Sequence, residues 1–283
     1  MNGKMRSIIL LGLIAALAAG AERPVDPTFL RGSLGSAIEK KSDVTTASAH
    51  YKPLFEAGGI VRGVARFSEI QVDPGGASAT VNYPREEQIY LVLEGTGAAV
   101  YENEKVPLKR YDFLYLPPGV PHGLANSTRD PLRVLVIGYR IPADMAIQKP
   151  AGPQIANIND VKQQVVGNHP PSTLYRLLLG DTKSKRDRIA AGHVVTSLFV
   201  MDMAPGGTNF PHHHDTEEEI YLILDGSGEM VAGGGTDGVE GKHQAKAGDA
   251  YFLRLNATVG FYNTASKPAQ VLAVRSWYPF RQR

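Results

Sequence analysis

Residues 210 to 228 read FPHHHDTEEEIYLILDGSG and contain three of the chain's eight histidines. On extended chain, residues two apart face the same side, so His212 and His214 point together while His213 points away. A turn at DTEE then opens an apolar strand on which Glu219, Tyr221 and Ile223 share a face, setting one carboxylate beside two imidazoles. Two histidines and one carboxylate with open positions suit a divalent transition metal. A facial triad of this kind is typical of non-haem Fe(II), with Mn(II) the close alternative. The expected metal ligands are therefore His212, His214 and Glu219, and His213, Glu217 and Glu218 are read as rim residues. The competing reading is a solvated loop of histidines and acids with no ion.

The elements that must position these groups come in two copies. EIQVDPGGASATVNYPREEQIYLVLEGTG (69–97) lies over VMDMAPGGTNFPHHHDTEEEIYLILDGSG (200–228) at a constant offset, matching Pro74 with Pro205, Gly75 with Gly206, Tyr90 with Tyr221, Gly95 with Gly226 and Gly97 with Gly228. Past a Gly-rich insert, YDFLYLPPGVPHGLANST (111–128) pairs with GDAYFLRLNATVGFYNTA (248–265), and RVLVIGY (133–139) with QVLAVRS (270–276). Each copy is a run of short apolar strands parted by Gly, Pro, Asn and Asp turns with hardly any helical period, which predicts an all-β unit repeated in tandem. Between the copies, 141–174 reads as a linker with HPPS as a breaker, and TLYRLLLGD as a strand leading into the second copy. Residues 22–60 show no strong period and are free to pack across the second unit.

Within the second copy, Gly206, His212, His214, Glu219 and Gly226 stand at the spacing of the first motif of the cupin superfamily, which the chain resembles. The resemblance implies two tandem jelly-roll barrels, a bicupin, with a metal-free barrel in 22–140 and a metal-binding barrel in 175–283. It also exposes departures. The second motif of the family carries a fourth ligand, a histidine; the first copy keeps that pattern with Pro117, Gly119, His122 and Asn126, whereas the second copy has Arg254, Asn256, Val259 and Asn263. Val259 thus stands where the histidine is expected. Two outcomes follow: an extra open position for water, dioxygen or a chelating substrate, or another side chain such as His243 reaching in. The first copy fails the opposite way, with Val81, Tyr83 and Gln88 at the ligand positions and His122 alone. Its imidazole reads as a hydrogen-bonded interior residue or part of a small organic pocket.

Around the metal the sequence places Tyr221, Asn256, Tyr262 and Arg254, the arginine because it replaces a proline at the barrel mouth and suits a substrate carboxylate. Glu219, Tyr221 and Arg254 are the expected catalytic residues. Cupins include dioxygenases, decarboxylases, isomerases, aminohydrolases and binding proteins, so the family does not choose a reaction. The leading expectation is a dioxygenase-like metalloenzyme that chelates a small oxygen-rich molecule, by ring cleavage or enediol oxidation as in quercetinase-like cupins. A Mn-dependent aminohydrolase, decarboxylase or isomerase is the alternative, and a sugar- or acid-binding bicupin without turnover is the rival from another class.

Composition bounds the setting. Met1–Ala21 has a basic start (Lys4, Arg6), an apolar run from Ile8 to Ala19 and the small residues Ala19-Gly20-Ala21, the pattern of a cleavable secretory signal, with a membrane anchor as the alternative. Lys4 and Arg6 leave with that segment and no acid precedes Glu22, so the 30 basic and 28 acidic side chains of the whole chain become 28 of each. No basic tract remains to draw nucleic acid or an anionic membrane surface. The expected setting is periplasmic or secreted, without disulfides, since the chain has no cysteine. Pairing through exposed strand edges makes a homodimer an expectation as well.

Overall fold

A computed structural model describes residues 28–167, 169–234 and 239–277. The secretory signal read at Met1–Ala21 lies outside them. Among the described residues no helix is long and apolar enough to cross a membrane.

The chain forms two β-barrels, each built from a large sheet closed by a three-stranded one. In the first barrel the large sheet runs Gln154–Asn157, Asp112–Leu116, Glu86–Glu94, Leu132–Arg140, Val61–Val72, Ala49–Gly58, and the small sheet centres on Thr96–Tyr101. The second repeats this with Asp249–Leu253, Glu217–Asp225, Ala269–Trp277, Val195–Met203 and Thr173–Asp181 in the large sheet and Ser227–Gly233 at the centre of the small one. All-β architecture in two tandem barrels is thus what the paired sequence copies dictate.

Each barrel completes its sheet with a strand from outside the expected boundaries. Phe29–Ser33, which precedes the first copy, pairs antiparallel with Asp249–Leu253 of the second barrel. Gln154–Asn157, inside the expected linker, pairs with Asp112–Leu116 of the first. The two barrels thus exchange edge strands, and residues 154–157 within 141–174 are ladder. The physical reason is that the unpaired rows of N–H and C=O groups on the outer edges of Asp112–Leu116 and Asp249–Leu253 need partners.

Strand parity divides the core in three. Along Glu217–Asp225, Tyr221 and Ile223 point into the second barrel, while Ile220 and Leu222 join a cluster that includes Phe67, Ile89, Leu91, Phe113, Ile137, Phe252 and Leu272 and lies between the barrels. A third cluster fills the first barrel with Tyr51, Ile70, Tyr90, Leu114 and Val134. Strands buried on both faces read as unbroken apolar runs, as IYLIL and IYLVL do. Full burial of each such Leu, Ile or Phe contributes about 1.5–3 kcal/mol, so the inter-barrel layer makes the pair one unit.

Candidate metal centre

The segment Asn209–His214 enters the mouth of the second barrel beside the strand Thr258–Tyr262. His212 and Val259 exchange both backbone hydrogen bonds, at 2.9 and 2.8 Å. Phe210 adopts a left-handed φ of 54°, and its carbonyl accepts from His212 Nδ1 at 2.8 Å. A carbonyl can only accept, so the proton sits on Nδ1 and Nε2 carries the lone pair. Burial, the largest effect on this ring, lowers its pKa and keeps it in the neutral form a metal requires.

Ligand-capable atoms of His212, His214 and Glu219 all lie within 4.8 Å of one another, and the two imidazole rings stand edge to face at 4.9 Å. His214 Nε2 and Glu219 Oε2 are 3.2 Å apart. Both atoms are buried and neither makes a hydrogen bond. A buried carboxylate oxygen facing an imidazole nitrogen at this separation is costly unless something positive, a proton or a cation, lies between them. The donor set, two nitrogens and a carboxylate, therefore fits Fe(II) or Mn(II). His213 points outward, near Asp215 at 3.5 Å, as its parity requires.

The trio lines a cavity of about 280 Å³ together with His169, Tyr175, Ser197, Phe199, Asn209, Tyr221 and Arg275. Tyr221 is buried and its hydroxyl accepts from Asn209 Nδ2 at 2.8 Å. Burial first, and the nearby Glu219 charge second, push this phenol well above its ordinary pKa, so it stays protonated.

The expected neighbours Arg254, Asn256 and Tyr262 do not line the cavity. Leu253 stands opposite Glu219 across the ladder, so Arg254, the next residue, falls on the other face, where its charge acts on Glu218. Asn256 is exposed at a turn with φ of 60°, and Tyr262 lies under the Lys242 ammonium at 5.9 Å. The arginines that do line the cavity are Arg186 and Arg275, the latter on the strand beside Glu219. His243 packs its ring against Phe29 at 5.1 Å and Tyr251 at 6.3 Å and is not part of the trio. Of the acids read as rim, Glu217 pairs with Arg275 at 3.3 Å. Glu218 is buried between the barrels, where desolvation raises it to about 7.

Sequence reasoning missed His169, taken as part of a breaker. Its ring meets that of His212 edge to face at 5.8 Å, and its Nδ1 donates to the Asn209 carbonyl at 2.9 Å. No local pattern marks it, because the histidine arrives from a loop more than forty residues upstream of the trio.

The first barrel's equivalent slot is closed. His122 Nε2 meets Gln88 Oε1 at 3.1 Å and His122 Nδ1 donates to the Val120 carbonyl at 2.7 Å. Tyr83 donates to Asp43 at 2.7 Å and lies under the Arg66 guanidinium at 4.2 Å. Among the described residues the first barrel gathers no metal-ligating cluster.

The family model described as Cupin domain matches residues 68–138 and 199–275, more than half of the chain. The chain belongs to the cupin superfamily. Its two matched segments, one per barrel, make it a bicupin. An uncharacterized protein of Methanocaldococcus jannaschii, MJ1618, is 35% identical over 81 residues, covering 28% of this chain and 65% of that protein. Among solved structures, the Ylba protein of E. coli superposes with a TM-score of 0.69 at 14% identity, covering 93% of this chain and 97% of its own. A Lactobacillus farciminis oxalate decarboxylase, solved as a formate complex, gives 0.66 at 13% identity over 91% of this chain and 87% of its own. At such identities the structural likeness speaks for the bicupin fold.

Proposed function

We propose that this bicupin is a metal-dependent enzyme acting on a small oxygen-rich molecule in its second barrel, in the form of an enediol-type dioxygenase. The observation that carries the reading is the pair of buried, unpartnered atoms His214 Nε2 and Glu219 Oε2, 3.2 Å apart beside the His212 lone pair. A bound Fe(II) or Mn(II) supplies Lewis acidity there and, as iron, access to dioxygen chemistry. His212, His214 and Glu219 hold it. Val259 contributes no ligand atom where a histidine is expected, which supports an additional position for substrate oxygens. Tyr221, protonated and anchored by Asn209, directs a hydroxyl within the cavity. A volume of about 280 Å³ falls at or below the ~300–1,000 Å³ usual for drug-sized ligands, which favours a small enediol or acid over a flavonol. The same reading places the protein outside the cytoplasm, on the strength of the sequence pattern at Met1–Ala21.

Elemental analysis of anaerobically purified protein tests it: about one Fe or Mn per chain is expected, falling below a tenth in His212→Ala and Glu219→Ala, and its absence overturns the reading. Oxygen consumption with reductone and catechol substrates tests the dioxygenase form. Turnover without oxygen uptake replaces that form with a redox-neutral cupin reaction, and tight ligand binding without product replaces it with a binding protein.

A further inference from the structure

Among the described residues, three buried polar atoms of side chains lining the same cavity, apart from the trio, make no hydrogen bond: Arg275 Nε, Ser197 Oγ and Tyr175 Oη. Strand register explains how they come together. Ser197 stands opposite Arg275 across one ladder, and Arg275 stands opposite Glu219 across the next, so the three form one row of inward-facing side chains on neighbouring strands. Strands lie about 4.8 Å apart, so the Arg275 backbone is one strand-width from that of Glu219. Tyr175 projects from the strand Thr173–Asp181 and is electrostatically coupled to both Arg275 and Glu219. Arg275 is held at its other end by Glu217, which also accepts from the Thr196 hydroxyl.

The first barrel shows what a closed version of this wall looks like. There the residue matching Tyr175 is Tyr51, whose hydroxyl accepts from Ser68 at 2.7 Å. In the second barrel Phe199 stands at the Ser68 position, so the Tyr175 hydroxyl has nothing to bond. A guanidinium N–H and two hydroxyls, desolvated and convergent, are unfavourable by themselves and complementary to one chemical group.

We propose that Arg275, Ser197 and Tyr175 form a carboxylate seat, and that the ligand is a small acid of two to four carbons carrying a second oxygen on the neighbouring carbon: a 2-hydroxy acid, a 2-oxo acid or a short dicarboxylate. One carboxylate oxygen accepts from Arg275 Nε and the other from the two hydroxyls, while the adjacent oxygen faces His212, His214 and Glu219. This last contact rests on the metal reading; the seat itself does not. Arg186, at the mouth and paired with Asp187 at 3.4 Å, adds positive charge along the approach.

The test is thermal stabilisation by glycolate against its uncharged isostere glycolamide, each on protein with and without Mn(II), with metal content measured alongside. Stabilisation by a ligand follows its affinity for the folded state. Glycolate is expected to raise Tm at concentrations where glycolamide does not, corresponding to at least tenfold tighter binding. Arg275→Gln should weaken glycolate tenfold to a hundredfold, the range of one charge-assisted hydrogen bond, with metal content unchanged. Tyr175→Phe and Ser197→Ala remove atoms that support nothing else in the fold, and each should weaken glycolate severalfold even if Arg275→Gln proves unstable. Equal binding of glycolate and glycolamide, or undiminished glycolate binding in all three variants, overturns the seat. Protein that holds no metal yet still discriminates glycolate through Arg275 overturns the metal reading alone.

Discussion

The two barrels place different residues on the same scaffold row. In the first, Arg66, Gly138 and Gln88 stand side by side across three strands; in the second the same positions are Ser197, Arg275 and Glu219. Both rows bring an arginine to an equivalent glutamate, Arg66 to Glu86 at 2.8 Å and Arg275 to Glu217 at 3.3 Å. The arginine has moved by one strand. In the first barrel Gly138 leaves room for the Arg66 stem, since a Cβ there would meet Arg66 Cγ at 2.8 Å. The guanidinium then covers Tyr83 and shuts the mouth. In the second barrel the arginine comes from the centre of the row, and the space over Ser197 and beside the histidines stays open. What separates the open barrel from the closed one is thus the loss of internal partners as much as the change at the histidine positions.

The largest expected effect lies at the paired glutamates between the barrels. Glu87 accepts from the backbone amides of His193, Val194 and Val195 at 2.7–2.9 Å and from the Tyr115 hydroxyl at 2.9 Å. Its counterpart Glu218 takes a backbone hydrogen bond from Gly63, feels Arg62 and Arg254, and keeps one buried oxygen unpartnered. Glu87→Ala strands several buried donors and should cost about 4 kcal/mol in urea unfolding. Glu218→Gln should do the reverse at high pH. The folded-state pKa of about 7 lies above the ordinary 4.5, so the protonated carboxyl favours the fold. Its contribution is intact below pH 4.5 and is lost as pH rises through 7. At pH 8 the glutamine variant should exceed the parent by up to about 3 kcal/mol, and near pH 4.5 the difference should vanish. A Glu87 variant as stable as the parent, or a pH-independent gain in the Glu218 variant, breaks the contrast.

Next in size is the histidine that the two barrels hold in opposite places. His122 faces Val81 across one bridge, and Val259 faces His212 across the equivalent one. Val259→His puts an imidazole on both sides of the second bridge. It should slow metal loss to a chelator about tenfold, the lower end of what one added supporting group contributes at such sites. Unchanged release would mean that the vacant side of the site faces elsewhere, toward His169.

How much of this could be read beforehand depended on sequence distance. The trio His212, His214 and Glu219 spans eight residues on a loop and a single strand, so parity brings it together. The repeat carried the fold because each copy keeps the same turns. Arg275, Ser197, Tyr175 and His169 come from separate segments, and only cross-strand register or a loop crossing unites them with the trio. For Arg254 the missing information is one register: with Leu253 opposite Glu219, its neighbour faces the other side of the sheet. For Glu218 the signal was present in parity: it shares a face with Ile220 and Leu222, opposite Glu219, and an unbroken apolar run predicts that this face is buried as well.

The smallest effect is also the most direct measure of an open wall against a closed one. Tyr51 and Tyr175 occupy matching places, and burial raises both phenols above their ordinary pKa, so each is a neutral hydroxyl. Removing the Tyr51 oxygen leaves the fully buried Ser68 hydroxyl without its acceptor, which should cost about 1 kcal/mol in the unliganded protein. Removing the Tyr175 oxygen deletes an atom that had no partner, so Tyr175→Phe should leave stability unchanged or slightly raised. Urea unfolding of the two single variants reads the difference. Equal losses would show that the Tyr175 hydroxyl is already bonded in the folded chain, and the second barrel's wall would then be as closed as the first.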